Sequence, residues 1–310
     1  MKCLVSGATG FVGRHLCREL RQRGHEYLPL SRHGAALTSG IATLGIDLAT
    51  EVPDAAVFEG VETAFHLAGI AHRSAAEEEY TRLNEGATLA LAERAAAAGV
   101  RNFVFLSSVK AMGEPTTGAP RSEDDLAPPA DPYGRSKWRA ECALRETFRD
   151  GPMSVVILRP TLVYGVGVKG NLRALATAVS RGLPRPPAGG RRSLLSAGDL
   201  ANLLCEVAAT PAPGVRTFIA AGDESHSLRD LHDMLRTALD GAVATAWLPG
   251  WAWRLGAALA DRAAGTPGAN RARLFGSELY SGAAVQAATG WRPRQTFDQL
   301  AADILQASLE

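Results

Sequence analysis

The chain has few cysteines, no excess of charge of either sign and no long apolar run. Its four cysteines are scattered and form no CxxC pair, which is typical of reduced structural thiols in a cytoplasmic protein. A net charge of +1, from 33 basic and 32 acidic residues, leaves no excess of Lys and Arg for a nucleic-acid surface. What the chain has is 46% hydrophobic residues over 310 positions, enough for a sizeable buried core. The composition predicts a globular protein without nucleic acid as a partner, and no metal site is predicted.

The most apolar segment, residues 247–259, does not meet the requirements of a membrane span. Pro249 and Gly250 interrupt it, and Arg254 lies within it. A spanning helix needs about 20 uninterrupted apolar residues. The first residues of the chain lead straight into a strand pattern, without the longer apolar run and cleavage site of a signal peptide. We therefore expect residues 247–259 to form a packed helix. We also expect a cytoplasmic protein without a membrane partner.

Short apolar runs alternate with helical stretches through the first half of the chain. Continuous apolar strands that alternate with helices predict an α/β fold, in which a parallel sheet is covered on both faces. Right-handed connections then build a Rossmann-type, doubly wound parallel sheet. The predicted strands are 2–6, 26–30, 41–46, 63–67, 102–106, 153–158 and 215–220, and the main predicted helices of this part are 14–23, 77–98 and 132–149.

The character of the sequence changes after Pro160. Residues 165–199 are rich in Gly, Pro and Arg, whereas 226–265 and 293–308 have largely helical patterns. We therefore predict a smaller, mostly helical C-terminal substrate lobe beside the sheet. The predicted dinucleotide-binding domain is 1–164 plus about 200–223, and the predicted substrate lobe is 165–199 plus 224–310.

Three glycines follow the first predicted strand. Gly7, Gly10 and Gly13 lie three apart, directly after the strand and at the opening of a helix. Glycines allow a tight turn and a close approach of the backbone to a pyrophosphate, and a helix N-terminus offers free N–H groups. This strand–turn–helix context predicts a dinucleotide site rather than a bare turn.

The end of the second strand bears on the choice between NAD and NADP. NAD sites carry an Asp or Glu there for the ribose 2′-hydroxyl, and NADP sites replace it with a cation. This chain reads Leu30-Ser31-Arg32-His33, which contains no acid. NADP(H) is therefore favoured, with Arg32 paired to a 2′-phosphate. NAD(H) stays possible, because Arg32 in solvent or stacked on adenine fits the same sequence.

A tyrosine and a lysine lie one helical turn apart. Tyr133 and Lys137 are four apart, hence on one face of a helix. A cation near a phenol favours the phenolate, so we expect a pKa of Tyr133 lowered toward neutrality and a general acid or base. Ser107 and Ser108 end a predicted strand upstream, where a hydroxyl can hold a substrate oxygen beside Tyr133.

Five sequence features in this order and spacing resemble those of one known family. They are the glycine loop Ser6–Gly13, His66–Gly69, the Ser107-Ser108 strand end, the Tyr133/Lys137 pair and Arg159–Gly165. Together they resemble extended short-chain dehydrogenases/reductases, the nucleotide-sugar epimerase/dehydratase family, over essentially the whole chain and most closely over 1–165. The resemblance implies an NAD(P)-dependent enzyme that acts on a hexose attached to a nucleoside diphosphate. It makes Ser108 the catalytic hydroxyl with Ser107 as the alternative, Tyr133 the acid/base, and Lys137 the residue that binds the nicotinamide ribose.

The resemblance adds Asp47 and Leu48 as residues that contact adenine. Taken with the glycine loop and the second strand end, the candidate cofactor-binding residues are Gly7, Thr9, Gly10, Phe11, Val12, Gly13, Ser31, Arg32, Asp47, Leu48, Leu67, Ala68, Gly69, Tyr133, Lys137 and Pro160.

The resemblance also implies substrate contacts in the second lobe. Arg192 matches the arginine that clasps the diphosphate, with Arg191 beside it, and an Arg–phosphate fork suits a UDP or dTDP group. Arg271 or Arg273 is a candidate for a third phosphate contact. Alternatively, each of these arginines is a solvated surface charge, and Lys110 is a loop lysine that faces solvent. The candidate substrate-binding residues are Ser107, Ser108, Lys110, Asn171, Arg191, Arg192 and Arg273.

The positions after the catalytic hydroxyl restrict the reaction. Dehydratases of the family carry an Asp-Glu pair there, and this chain has Val109 and Lys110, so a 4,6-dehydratase is excluded. A 4-keto reductase that uses NADPH and a 4-epimerase that holds NAD tightly both stay open. The acid-free strand end favours the reductase. Residues 106–114 and the short second lobe resemble bacterial polysaccharide enzymes, which implies a UDP-(N-acetylated, deoxy) hexose as substrate and a role in surface-polysaccharide biosynthesis. A non-catalytic NADP-sensing protein is the remote alternative. Such chains usually lose the Tyr or the Lys, whereas this chain keeps both.

Two positions depart from the family pattern. Leu162 stands where an Asn often reaches the substrate phosphates, and Ser281 where relatives commonly have Asp. The base, the sugar and the stereochemical outcome therefore stay open. By analogy with relatives, helices 77–98 and 132–149 are candidates for a homodimer contact.

Overall fold

The computed structural model describes residues 1–71, 76–114, 118–242, 248–264 and 275–309. Its strands are β1 (Lys2–Ser6), β2 (Glu26–Ser31), β3 (Leu44–Gly45), β4 (Thr63–His66), β5 (Asn102–Leu106), β6 (Ser154–Pro160), β7 (Leu162–Tyr164), β8 (Arg191–Ser196), β9 (Gly214–Ala220) and β10 (Ser225–Ser227). Its helices are α1 (Phe11–Gln22), α2 (Glu77–Tyr80), α3 (Ala87–Ala97), α4 (Pro132–Phe148), α5 (Asn171–Ser180), α6 (Ala197–Ala209), α7 (Leu228–Asp240), α8 (Gly250–Ala264), α9 (Ala283–Thr289) and α10 (Phe297–Leu309).

Seven strands form one parallel sheet in the order β3-β2-β1-β4-β5-β6-β9. The chain builds outward from β1 in one direction and then, from β4, in the other. The crevice above the carboxyl ends of β1 and β4 is therefore the point where the strand order reverses, which is the usual ligand site of such sheets. The predicted Rossmann-type fold is confirmed.

Helices cover both faces of this sheet, as continuous apolar strands require. Leu16 of α1 and Leu204 of α6 lie in the core cluster of one face. Leu91 of α3 and Leu144 of α4 lie in the cluster of the other face. The carboxyl end of β5 and helix α4 are thereby packed against each other through a rigid core.

A second group of elements packs beside the sheet. Strands β7, β8 and β10 form a three-stranded sheet in the order β10-β8-β7. Leu172 of α5, Leu231 of α7 and Ile304 of α10 share a further core cluster. Except for β7, which falls in the segment predicted for the dinucleotide-binding domain, these elements fall in the segments predicted for the substrate lobe, and the limits of both domains stay a prediction.

The buried cysteines behave as the sequence indicated. All four cysteines are free thiols. Burial raises the pKa of Cys3, Cys17 and Cys205 to about 12, so these thiols stay protonated.

Three sequence predictions differ from the structure in extent. The third strand, predicted over 41–46, shortens to β3, because Leu37 N–H donates to Ile41 O in a turn. The predicted helix 77–98 is divided by a turn of π-helix, Thr81–Gly86, between α2 and α3. The segment 165–199 contains α5 and β8, which its Gly and Pro content concealed.

Helix α8 covers most of the apolar segment but is not packed on all sides. The side chains of Trp251, Leu255 and Leu259 are 67%, 54% and 59% exposed. The expectation of a packed helix is therefore right for its other face only, where Ala257 is buried. Among the helices that the structure describes, none is long and apolar enough to cross a membrane.

Candidate functional site

The glycine loop joins β1 to α1 at the point where the strand order reverses. Gly7 has a φ of 71°, and a Cβ there would lie 2.7 Å from Ala68 N. A Cβ on Gly13 would clash with the Gly7 carbonyl oxygen. Gly10 caps α1 without a side-chain hydrogen bond, so the first N–H groups of the helix face the loop. A side chain is excluded at Gly7 and Gly13, and the result is a cradle of backbone N–H groups suited to a pyrophosphate.

A cavity of about 310 Å³ opens beside this loop. Its lining includes many of the predicted cofactor-binding residues, namely Gly7, Thr9, Gly10, Ser31, Arg32, Asp47, Leu48, Leu67, Ala68 and Gly69. It also includes four residues that the sequence prediction missed, namely Leu30, His33, Ile46 and Leu83. The other predicted cofactor residues lie outside this lining: Phe11, Val12 and Gly13 in the first turn of α1, Tyr133 and Lys137 on α4, and Pro160 at the end of β6.

The cavity has a mixed charge at the end of β2. Arg32 Nε lies 3.8 Å from Asp47 Oδ1, and the two side chains are 49% and 35% exposed. An acid that β2 itself lacks is thus supplied from the residues after β3. Ser31 lies in the cavity wall, but its hydroxyl is 2.5 Å from Thr43 Oγ1 and accepts from Ala35 N–H. Its side chain therefore holds the neighbouring loop in place.

Helix α4 places the predicted acid/base. Asp131 caps the helix by accepting from Gly134 N–H at 2.9 Å, and Pro132 follows at a position that favours helix starts. A Cβ on Gly134 would lie 2.5 Å from Lys110 O, so glycine allows the turn after β5 to approach α4. Ser108 caps that turn, Val109–Met112, by accepting from Lys110 N–H at 3.2 Å.

Ser108 and Tyr133 come together at this contact. Burial raises the pKa of Tyr133 to about 12, the hydrogen bond with the Ser108 side chain lowers it, and the charge of Asp131 raises it. The phenol and the hydroxyl therefore lie side by side, as predicted from the sequence. Together they are able to hold one substrate oxygen and exchange a proton with it.

The expected effect of Lys137 on the phenol is wrong for this structure. The Lys137 ammonium donates to Leu106 O at 2.9 Å and lies 4.6 Å from the centre of the Phe105 ring. Burial lowers the pKa of Lys137 to about 8, while the charge of Glu141 raises it. Because the ammonium is directed at β5, it does not lower the pKa of Tyr133, which burial controls.

The alternative hydroxyl is not available to a substrate. Ser107 is buried, and its hydroxyl donates to Glu141 Oε1 at 2.6 Å. The proposed substrate role of Ser107 is therefore corrected: the neighbouring Ser108 is the hydroxyl that faces Tyr133.

Asn84 is a buried polar residue that the sequence prediction missed. It lies in the π-helical turn, where its Oδ1 accepts from Ile70 N–H at 2.8 Å and its Nδ2 donates to Ser136 Oγ at 2.9 Å. A Cβ on Gly69 would lie 2.9 Å from Asn84 Oδ1 and 3.3 Å from Lys137 Nζ. Asn84 thus ties the loop after β4 to α4 beside Lys137. The only signal in the sequence is an amide within an alanine-rich helix pattern.

Glu278 connects two predicted substrate residues. Its carboxylate lies 3.6 Å from Lys110 Nζ and 3.6 Å from Arg192 Nε. Glu114 lies 3.9 Å from the same lysine. Glu278 N–H also donates to Arg191 O at 2.9 Å, which pins its backbone to β8. The carboxylate was not predicted, because nothing local to 278 marks it.

The other predicted substrate residues are spread over the second group of elements. Arg191 is 55% exposed, lies 3.6 Å from Asp230 and donates to Ser225 Oγ at 3.1 Å. Asn171 is exposed and begins α5. Arg271 and Arg273 lie outside the described residues. The structure therefore joins Lys110 and Arg192 through Glu278, and it does not join Asn171 to them.

A larger cavity of about 730 Å³ runs along α5. Its lining, Gly170 to Pro184, includes none of the glycine loop or of the Ser108–Tyr133 pair. We therefore place the candidate site at the smaller cavity and the carboxyl ends of β1, β4 and β5.

Comparisons with known proteins identify the family of the chain. Residues 3–220 match the NAD dependent epimerase/dehydratase family. The UDP-glucose 4-epimerase of Vibrio cholerae is 31% identical over 320 residues, covering 98% of this chain and 96% of that protein. The 2-alkyl-3-oxoalkanoate reductase of Stenotrophomonas maltophilia is 28% identical, covering 77% of this chain and 76% of that one.

Solved structures give the same result. MoeE5 in complex with UDP-glucose and NAD superposes with a TM-score of 0.78 at 25% identity, covering 100% of this chain and 99% of that one. The UDP-N-acetylglucosamine 4-epimerase from Bacillus cereus has a TM-score of 0.78 at 16% identity over 100% of both chains, and shows the fold alone.

Proposed function

Because the chain belongs to the NAD dependent epimerase/dehydratase family, we propose that it oxidises and reduces one ring carbon of a UDP-hexose, with 4-epimerisation as the net reaction. The observation that carries this proposal is the pairing of Ser108 with Tyr133 on the helix that bears Lys137, whose ammonium lies near Gly69 in the wall of the glycine-loop cavity. A phenol and a hydroxyl that face each other suit a carbinol oxygen, which must lose or gain a proton as its carbon changes oxidation state.

The residues present fit a dinucleotide. Glycines without room for a Cβ, an uncapped helix N-terminus and an adjoining cavity are the features that such a group needs. When bound, the dinucleotide supplies a carrier for the hydride, and the positive charge of its oxidised form favours the phenolate of Tyr133. On this assignment, Gly7 and Gly10 would hold the pyrophosphate, and Asp47 and Arg32 would hold the adenosine end.

The chain's own residues account for the proton. Tyr133 takes the proton of the sugar hydroxyl during oxidation and returns it during reduction, while Ser108 donates a hydrogen bond to the same oxygen. Lys137 would hold the ribose of the dinucleotide through its ammonium, which lies beside Leu106 O at the end of β5. Each cycle begins and ends with the same protonation states, so no external acid is consumed.

Epimerisation is favoured over the other reactions of the family by two observations. Val109 and Lys110 occupy the positions after the catalytic hydroxyl, where elimination of water needs two acids. The relative that matches 98% of the chain at 31% identity is a UDP-glucose 4-epimerase.

A 4-keto reductase that uses NADPH is the second candidate. The sequence favoured it because β2 ends without an acid, and Arg32 and His33 do line the cavity. Asp47, 3.8 Å from Arg32, weakens that argument, since a 2′-phosphate would approach a carboxylate. We therefore propose NAD as the cofactor, in line with the epimerase. The reductase, as the second candidate, would use NADPH.

One experiment separates the candidates. The purified protein is denatured and the released nucleotide identified by mass spectrometry, and the native protein is incubated with UDP-glucose or UDP-N-acetylglucosamine without added cofactor. Bound NAD and the appearance of the 4-epimer in NMR spectra support the epimerase. An exchangeable site that prefers NADPH, with NADPH consumed only on UDP-4-keto-sugars, replaces it with the reductase. Failure to convert either class of substrate overturns both.

A further inference from the structure

Helix α4 carries a column of four functional groups on one face. Tyr133, Lys137, Glu141 and Arg145 follow one another at intervals of four residues, so each lies one turn below the last. The first two belong to the proposed reaction. Glu141 is fully buried, a position that carboxylates occupy only when their charge is compensated.

The carboxylate of Glu141 is compensated by residues from the two adjacent strands. Arg159, at the end of β6 and 1% exposed, donates to it through Nε at 3.0 Å and Nη2 at 2.6 Å. Ser107, at the end of β5, donates at 2.6 Å, and Arg145 donates at 2.9 Å. Glu141 is therefore the common acceptor of β5, β6 and α4, in a buried network where every hydrogen bond is strengthened by charge.

This network lies directly beneath the site. Ser107 precedes Ser108, so the bond to Glu141 fixes the last residue before the catalytic hydroxyl. Lys137 is one turn above Glu141, and its pKa is raised by the charge of that carboxylate.

We propose that Glu141 is a positioning residue with two effects. It holds the end of β5, which bears Ser108, against helix α4, which bears Tyr133. Its negative charge also keeps Lys137 as an ammonium. The expected effect of Glu141 on kcat rests on the proposed function, whereas its expected effect on Lys137 does not.

The groups around Lys137 make the sign of the effect clear. On its own helix it faces Glu141. On β4 it faces His66, whose pKa burial lowers to about 3, so that imidazole is neutral. On β5 it meets the Leu106 carbonyl and the Phe105 ring. Within the described part of the chain, Glu141 is thus the charge that raises the pKa of Lys137, an effect that its pairing with Arg159 and Arg145 reduces, while burial lowers that pKa to about 8.

The test replaces the carboxylate by its neutral isostere, Glu141→Gln, with Glu146→Gln as the matched control, since Glu146 is exposed on the same helix. NADH affinity is measured by fluorescence titration from pH 6 to pH 10, and kcat is measured on the substrate that the wild type converts. We expect the loss of NADH affinity with rising pH to begin about one pH unit lower in Glu141→Gln than in wild type. The control should follow the wild-type curve.

A second variant tests the mechanical tie and covers the case in which Glu141→Gln does not fold. Ser107→Ala removes the bond to β5 but leaves the charge, so kcat should fall about tenfold while the pH midpoint of NADH binding stays at the wild-type value. Wild-type kcat in Ser107→Ala, or a wild-type pH midpoint in folded Glu141→Gln, overturns the inference. If the wild type converts no UDP-hexose, the proposed function fails, whereas the NADH curves still decide the role of Glu141.

Discussion

The side chains of Tyr133 and Lys137 lie in surroundings that oppose charge. Burial raises the pKa of the phenol to about 12 and lowers the pKa of the ammonium to about 8. At pH 7 the phenol is therefore neutral and Lys137 still carries its proton. Tyr133 is ready to donate a proton in this state, and it becomes a base only when further positive charge is brought close to it.

Removal of this phenol gives the first prediction. Tyr133→Phe should lower kcat by about 10²–10⁴-fold, because the ring is retained and only the proton-transferring group is lost. The dissociation constant for the dinucleotide, measured by fluorescence titration, should stay within about twofold of wild type. Tyr27→Phe removes a phenol from β2 and serves as the control. A Tyr133→Phe enzyme with wild-type kcat would contradict the proposed mechanism.

The carboxylate of Glu278 gives a second prediction. It lies 3.6 Å from both Lys110 and Arg192, so it lowers the positive potential where we expect the diphosphate. Glu278→Gln should tighten UDP binding by about fivefold, or about 1 kcal/mol, an effect that salt reduces. Calorimetric titration with UDP measures it. Glu114→Gln, which alters a more exposed partner of Lys110, should change the affinity less. Unchanged or weaker binding in Glu278→Gln would show that these cations do not meet the diphosphate.

At the scale of the elements, hydrogen bonds of individual buried amide and hydroxyl side chains connect helices and loops at the site. The π-helical turn between α2 and α3 turns Asn84 inward, where it bonds Ile70 and Ser136. Such turns interrupt a regular helix and are frequent at functional sites. The loop after β4, which lines the cofactor cavity, is thereby fixed to α4.

The strength of that junction can be measured. Asn84→Ala leaves Ile70 N–H buried without its acceptor, so the free energy of unfolding should fall by about 1–3 kcal/mol. Urea denaturation provides the value, with the exposed Glu93→Ala of α3 as the control for alanine in this helix. Equal stability of the two variants would indicate that the turn is held by other contacts.

At the scale of the whole molecule, a fully buried histidine, His66, lies on β4 at the centre of the sheet. His66 Nδ1 is 2.7 Å from Ser6 Oγ on β1, and Nε2 is 2.9 Å from Thr88 Oγ1 on α3. The Thr88 hydroxyl donates to Asn84 O, so it accepts from Nε2–H and leaves Nδ1 to accept from Ser6. Burial, followed by the charge of Lys137, lowers the pKa of His66 to about 3.

This histidine predicts an acid-sensitive fold. The unfolded chain binds a proton at His66 below pH 6.5, while the native state does not until about pH 3. The stability from the neutral ring is therefore complete above pH 6.5 and is lost as pH falls from there toward 3, with about 2 kcal/mol lost between pH 6.5 and pH 5. Urea denaturation at both pH values should give a smaller difference for His66→Asn than for wild type. His33→Asn, at an exposed position, should behave as wild type.

Much of the fold, and the candidate residues that the structure brings together at the glycine loop and on α4, could be predicted from the sequence because their signals are local. Apolar runs located β1, β4, β5 and β9 nearly to the residue. The three glycines and the spacing of Tyr133 and Lys137 encode a turn and a helix face within a few residues. Backbone sterics and helix periodicity act over such short distances, so they do not need the rest of the chain.

Tertiary structure alone decided which of these groups act on one another. The burial of Ser107 against Glu141, the pairing of Arg32 with Asp47, and the contacts behind the proposed roles of Glu141 and Glu278 join segments far apart in sequence. The pKa of Tyr133 was predicted in the wrong direction for the same reason. Burial and the direction of the Lys137 ammonium set that pKa, and both are properties of the packed chain that spacing along the sequence does not contain.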